Sequence, residues 1–331
     1  MAGQLPRIDY TAHPAYGGML EPNPALGRRA LEVLEPLVEE ARAIEREKQE
    51  RFGYRFGHSE ATGETLVRDG VAPVQLSAAA LGPIEQAAAP VLGAIARRLD
   101  ETRAAGERIQ YKTAHEGVGS STHPELWAAI ERAMRDSGAL EITAAYFGAP
   151  AAKVRSAGLL LNQPDQDWAV RLYRDLDTPA PPTAGFHIDS NGKCFVKAVL
   201  YLSDVGPEQG PFGMVPGSHR WAEGSEERIY RRAFDKSDLV IRSAKKRRMF
   251  LSLPPEIQVK AEFGGDMPAR APETAALIAE ERVMTGPRGQ LNLFDPEAIH
   301  RGGHARHGER QVFLLSVAAR SWPAAAARGA A

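Results

Sequence analysis

The chain sets His187 and Asp189 two residues apart, His300 a further 111 residues on, and Arg310 ten residues past that second histidine. Two imidazoles and a carboxylate are the donors of a facial triad, which fills one face of an octahedral Fe(II) and leaves the other open for chemistry. Alternate residues of a strand point to one side, so His187 and Asp189 can grip one ion from a single strand end. Three facial ligands cannot share one short segment, so the third must come from elsewhere. His304 and His307 compete with His300 for that place. His300 is preferred because the apolar run Gln290 to Phe294 ends just before it and because Arg310 stands at the right distance. Arg310 falls on a following strand, across a turn containing Gly302, Gly303 and Gly308, and its planar guanidinium suits a carboxylate.

The surrounding residues sharpen this. Gly185-Phe186-His187-Ile188-Asp189 leads into an apolar run, Phe195 to Leu202. Gly210-Pro211 and Val215-Pro216-Gly217-Ser218-His219 follow, and later Asn292-Leu293-Phe294-Asp295-Pro296-Glu297-Ala298-Ile299-His300-Arg301-Gly302-Gly303. Over residues 185 to 320 this order resembles the phytanoyl-CoA dioxygenase family of iron(II)- and 2-oxoglutarate-dependent oxygenases. The resemblance implies Fe(II) on His187, Asp189 and His300, with 2-oxoglutarate chelating the metal and its far carboxylate on Arg310. Dioxygen is then the co-reactant, and succinate and CO2 leave. It also implies a polar cosubstrate contact from the strand before His187. Asn162 and Gln163 are the candidates, and alternation lets only one face inward. Ser218 and Asn292 are further cosubstrate candidates, although Ser218 also reads as a turn residue and His219 as part of the same turn. Related halogenases carry Gly or Ala where Asp189 stands, so the carboxylate implies hydroxylation, desaturation or ring closure rather than halogenation.

The elements that must position these residues divide at about residue 150. Upstream the period is helical. Ala25 to Glu50 carries Leu34, Leu37, Val38, Ala41 and Ile44 on one face, with a kink or restart expected at Pro36. Ser77 is expected to cap a helix reaching about Arg103, and Thr122 to Glu125 to form a capping box. Downstream, Ser156 to Gln163, Phe195 to Ser203, Phe212 to Val215, Gln290 to Phe294 and Gln311 to Arg320 read as strands between Pro and Gly turns. The expected fold is a mainly β core with helices (α+β): a cupin-like double-stranded β-helix, or jelly roll, over 151–331, packed with an N-terminal arm and helical layer over 1–150 as one structural domain. Residues 222–287 form an insertion too long for an ordinary loop, expected to hold helices and to act as a lid. Its run Lys245-Lys246-Arg247-Arg248 reads as a solvated helix face or as a receptor for an anionic substrate. Trp168 and Tyr173, in the segment before the first histidine, and Arg248 are the substrate-binding candidates.

Composition narrows the partners. Forty-one basic against 42 acidic residues give a formal charge of −1, which offers no footprint for nucleic acid or an anionic membrane. The single cysteine, Cys194, excludes an internal disulfide and fits a reducing compartment. Met1 to Tyr10 lacks the basic flank and apolar core of a signal peptide, and the alanine-rich stretch from Ser77 to Ala96 is interrupted by Pro83, Glu85, Gln86 and Pro90. A cytoplasmic enzyme acting on a small polar molecule, an amino acid or biosynthetic intermediate, is the expectation. Oligomeric state is left open. Two other classes compete: a cupin-like metalloenzyme without 2-oxoglutarate, in which Arg310 would have no ligand, and a non-catalytic jelly-roll binding module, for which a complete triad would have no use.

Overall fold

Eleven strands and eight helices build the described part of the chain. The computed structural model describes residues 23–52, 61–164, 166, 171–173, 178–179, 186–189, 195–220, 226–237, 244–254, 256–257 and 279–319. Trp168, Cys194 and the N-terminal arm up to residue 22 lie outside these residues, as do the side chains of Tyr173, Lys245, Lys246 and Arg247.

The strands are β1 (Val71–Gln75), β2 (His115–Val118), β3 (Ala152–Asn162), β4 (Arg171–Tyr173), β5 (Thr178–Pro179), β6 (Phe195–Tyr201), β7 (Phe212–Met214), β8 (Arg282–Met284), β9 (Gln290–Phe294), β10 (His300–Arg301) and β11 (Arg310–Ala319). Six of them form one sheet in the order β1-β9-β6-β11-β3-β2, three a second in the order β10-β7-β8, and β4 pairs with β5. Every described pairing is antiparallel. The two larger sheets face each other. Phe212 of the small sheet packs on Phe294 of the large one, with ring centroids 4.5 Å apart. Between them the Tyr201 hydroxyl donates to Met284 O at 2.6 Å and accepts from Phe212 N at 3.2 Å.

Alternation decides which residues the sheets present. On β11, Phe313 and Val317 are fully buried on one face, while Arg310, Val312, Leu314 and Ser316 point to the other. The first face is covered by helices α3 (Ala78–Ala104), α5 (Pro124–Asp136) and α6 (Ala139–Tyr146). By length and composition α3 alone among the described helices could cross a membrane. Here its stripe of Leu81, Ile84, Ala88, Val91, Ile95 and Leu99 is buried in the core. Ser77 caps it as expected, accepting from Ala80 N at 3.2 Å, and neither Pro83 nor Pro90 ends it.

Other expectations need correction. Pro36 does not restart the helix, since α1 (Pro24–Phe52) runs through it. The Thr122–Glu125 capping box does not form: His123 takes the N-cap position, Pro124 opens α5, and the Thr122 hydroxyl turns back to Gly119. The segment before residue 150 is not only a helical layer, since it supplies both edge strands of the large sheet, β1 and β2. Short helices α2 (Ala61–Asp69) and α4 (Tyr111–Ala114) lead into those two strands. Within 222–287, β8 belongs to the small sheet, and the helices α7 (Glu226–Lys236) and α8 (Ala244–Leu251) both pack on α1. Val38 and Ala41 of α1 cluster with Ile229 and Ala233 of α7. Beside them the buried Arg232 of α7 donates to Glu45 of α1 at 2.9 Å and pairs with Glu297, three residues before His300.

Candidate metal centre

The backbone brings the two histidines together first. His187 N donates to His300 O and His300 N to His187 O, both at 2.9 Å, an isolated antiparallel bridge. Asp189 N donates to Pro296 O at 2.7 Å, which ties the carboxylate to the turn entering β10. Asp295 organises that turn. Its Oδ1 accepts from Glu297 N at 2.8 Å and its Oδ2 from the Tyr146 hydroxyl at 2.6 Å. Ser218 supports the next residue from behind, its hydroxyl accepting from Ile299 N at 2.8 Å and donating to Val215 O at 2.7 Å. His219 packs against Gly70 and contacts Val67 O through Nε2 at 3.0 Å, away from the cluster.

On this frame the ligand atoms of His187, Asp189 and His300 all lie within 4.8 Å of one another. His300 Nδ1 donates to Ala298 O at 2.8 Å, which leaves Nε2 as its ligand atom. Nε2 stands 2.9 Å from Asp189 Oδ2, and His187 Nε2 stands 4.0 Å from the same oxygen. Adjacent corners of an octahedron with bonds of about 2.1 Å are about 3 Å apart, so the first distance already suits one cation and the second needs a shift of about 1 Å. Burial lowers the pKa of His300, with the neighbouring His187 adding to it, against the pull of Asp189. One carboxylate oxygen facing two imidazole nitrogens across this space is a donor set for one cation. Burial by itself would raise the pKa of Asp189, but the His300 hydrogen bond and the charges of His300, His187 and Lys197 hold it well below the usual carboxylate range. The donor set therefore fits a divalent metal once His187 closes by that distance.

The cluster opens on a cavity of about 440 Å³, large enough for a small ligand. Phe212 and Phe294 wall it beside His300, with centroids 5.9 and 4.9 Å from the imidazole. Arg310 lines it and is itself buried. Its Nε and Nη2 donate to Asn162 Oδ1 at 3.2 and 2.8 Å, Nη2 to Gly303 O at 3.3 Å, and Nη1 to Gly210 O. These four bonds leave one N–H of the guanidinium for a ligand. Burial lowers the Arg310 pKa to about 10, eased by Tyr201 and reinforced by Arg301. The carbonyls reach the guanidinium because two turns touch: a Cβ at Gly303 would stand 2.2 Å from the Gly210 carbonyl, and Gly210 itself has φ +72°.

Register separates the two polar candidates on β3. Asn162 pairs with Arg310 and is buried against it, whereas Gln163 meets Arg103 and Glu309 near the surface. Asn292 is fully buried on the same face of β9 as Phe294. It accepts from Gln290 at 2.9 Å, and its Nδ2 has no partner among the described residues. Arg248 is exposed on α8 and does not line the cavity. His304 and His307 stand outside the cluster.

Lys197, Tyr111 and His115 line the cavity without having been singled out in the sequence. Lys197 had a signal, a lone charge inside the apolar run from Phe195 to Leu202, and its ammonium contacts Asp189 Oδ2. His115, stacked on Tyr111 at 4.8 Å, lies across Gly158, where a Cβ would meet its Nε2 at 2.2 Å. Nothing local in the sequence marks that approach.

Residues 59–310 match the model of the phytanoyl-CoA dioxygenase family. The chain belongs to that family. Among solved structures it is similar to the non-heme alpha-ketoglutarate-dependent carbocyclase SnoK from nogalamycin biosynthesis, at 16% identity and a TM-score of 0.47, covering 79% of this chain and 84% of that one. It is also similar to EctD from S. alaskensis, with 2-oxoglutarate and 5-hydroxyectoine, at 14% identity and a TM-score of 0.46, covering 79% and 76% of the two chains. AviO1 from Streptomyces viridochromogenes follows at 17% identity and a TM-score of 0.41, covering 80% and 96%. No curated protein matches the sequence. The family match and the His-Asp-His site make this protein an iron(II)- and 2-oxoglutarate-dependent oxygenase acting on a small molecule.

Proposed function

We propose that His187, Asp189 and His300 ligate Fe(II), that Arg310 takes the distal carboxylate of 2-oxoglutarate, and that the enzyme hydroxylates an unactivated C–H of a small polar metabolite. The observation that carries this reading is the convergence of the three ligand atoms beside a cavity lined by a buried arginine. With O2, the bound iron and 2-oxoglutarate supply the oxidant: one oxygen atom enters the C–H bond, the other enters succinate, and CO2 is released. The chain's own residues do the rest. Ala298 O fixes the His300 tautomer, Asn162 and the two glycine carbonyls hold the Arg310 plane, and Phe212 and Phe294 keep water from the side of the centre they cover.

The two facing antiparallel sheets support a double-stranded β-helix core in one structural domain. A cytoplasmic site of action fits the single cysteine. Asp189 favours hydroxylation over halogenation, because its oxygen occupies a position that a halide would need. A cupin-like metalloenzyme without 2-oxoglutarate leaves Arg310 buried without a ligand, and a non-catalytic jelly roll leaves the triad without a use.

Anaerobic titration with Fe(II) and 2-oxoglutarate is the test. A weak visible charge-transfer band is expected, followed by succinate release and an oxygenated, unchlorinated product in chloride buffer when candidate metabolites are screened. No band, or a chlorinated product by mass spectrometry, refutes the corresponding part of the reading.

A further inference from the structure

The cavity has a second cationic end that the reading above does not use. Among the described residues lining it, the permanent cations are Arg310 and Lys197. Arg310 is buried and held by Asn162 and backbone carbonyls. Lys197 is different: its side chain is 28% exposed, and its ammonium rests on Asp189 Oδ2. That oxygen is also the one His300 Nε2 approaches to 2.9 Å, so it faces the point where the three ligands converge.

A dication on that oxygen weakens its hold on the ammonium, because the two cations repel across it. Once Asp189 serves the metal, the Lys197 head is free to turn on its flexible stem towards a ligand. The sheet register shows what lies beside it. Lys197 of β6 pairs with Ser316 of β11, and Ser316 pairs with Ser156 of β3, so the three side chains form a row across adjacent strands on the cavity face. Neither serine hydroxyl has a hydrogen-bond partner among the described residues, and neither residue is buried. Between this row and Arg310, β11 presents Val312 and Leu314, and Leu314 is 36% exposed within the cavity. A cation flanked by free hydroxyl donors, next to an apolar wall and the metal centre, is built to receive an anion attached to an aliphatic body.

We infer that Lys197, with Ser316 and Ser156, is the receptor for an anionic group of the substrate, a carboxylate or a phosphate, and thereby sets the substrate class. The inference rests on the iron and 2-oxoglutarate reading. The rival role for Lys197 is that of a counter-ion that merely holds Asp189 in place.

The test uses the whole protein in two measurements. Mn(II) binding, read by electron paramagnetic resonance, compares wild type with Lys197→Met. The inference expects equal or tighter binding by the variant, since the competing ammonium is gone. A tenfold loss makes Lys197 a structural counter-ion and overturns the inference. Anaerobic protein loaded with Fe(II) and 2-oxoglutarate is then titrated with propionate, methylphosphonate and the uncharged propionamide while the charge-transfer band is followed. One of the anions is expected to shift the band saturably in wild type and in Lys197→Arg, and not in Lys197→Met. Which anion does so separates carboxylate from phosphate. Equal responses to propionate and propionamide, an undiminished response in Lys197→Met, or no anion response in wild type overturn it. Absence of the band in wild type, before any anion is added, instead removes the iron and cosubstrate reading and this inference with it.

Discussion

Asn162→Asp tests the cosubstrate anchor with the least disturbance to the fold. The substitution is nearly isosteric and keeps an oxygen where Asn162 Oδ1 now accepts from Arg310 Nη2 at 2.8 Å and Nε at 3.2 Å. It gives up the long donor contact from Nδ2 to Gln166 Oε1 at 3.4 Å. What it adds is a negative charge on the side of the guanidinium away from the ligand. Two hydrogen bonds in line, plus the width of the guanidinium between them, put the new charge roughly 8 Å from a carboxylate held by Arg310. At an effective dielectric constant of about 20 the repulsion is about 2 kcal/mol, and burial limits its screening by salt. The expected result is about thirtyfold weaker binding of 2-oxoglutarate. Calorimetric titration of 2-oxoglutarate into anaerobic, Mn(II)-loaded protein measures it. The thermal midpoint should stay close to that of wild type, because the new carboxylate gains the arginine charge as it loses the weak amide contact. If 2-oxoglutarate binds the variant within about threefold of wild type while the fold and Mn(II) site are intact, its distal carboxylate does not sit on Arg310 and the reasoning fails.

Three further outcomes follow from the same structure. His187→Ala and His300→Ala should each lose Mn(II) binding with the sheets intact, whereas His304→Ala and His307→Ala should leave it within about twofold; the reverse pattern would relocate the centre. Arg232→Ala removes the cation that buried Glu45 and half-buried Glu297 share and should cost about 3–5 kcal/mol in urea unfolding, with Arg232→Met no less stable than Arg232→Ala; a loss below about 1 kcal/mol would show that this ion-pair cluster contributes little. Asp69 is hydrogen-bonded by Arg68 and Arg282, which lower its pKa from 3.8 to about 2 against the effect of burial. A depressed folded pKa means its contribution is present above about pH 4 and is lost as pH falls towards 2. That contribution is about 1–2 kcal/mol after allowing for the exposed arginines, so Asp69→Asn should flatten the acid limb of stability measured by urea midpoints between pH 5 and pH 2, and an unchanged limb would contradict it.

Legibility in the sequence followed the range of the forces involved. The His187, Asp189 and His300 cluster could be read because few residue types ligate iron, and their spacing shows along the chain. Strands such as β9 could be read because their apolar run ends in recognisable turns. The edge strands could not. Val71–Gln75 contains a proline and His115–Val118 has no alternation, so both become strands only because the sheet beside them offers backbone partners. The choice between Asn162 and Gln163 was likewise out of reach, since it depends on the register of β3 against β11. The capping box at Thr122 failed for a local reason: Pro124, favoured in the first turn of a helix, let His123 take the cap position.

The bridge between His187 and His300 has a consequence for the life of the chain. It joins two segments separated by more than a hundred residues, so an ion held between them is a reversible crosslink closing a long loop. A ligand that binds only the folded chain stabilises it in proportion to the logarithm of its occupancy ratio. Metal loading would thus govern how often the two halves part, as well as whether the enzyme turns over. Protease-resistance time courses with and without Mn(II) would show the same cuts at different rates, and scarcity of the metal would be recorded as faster loss of the protein itself.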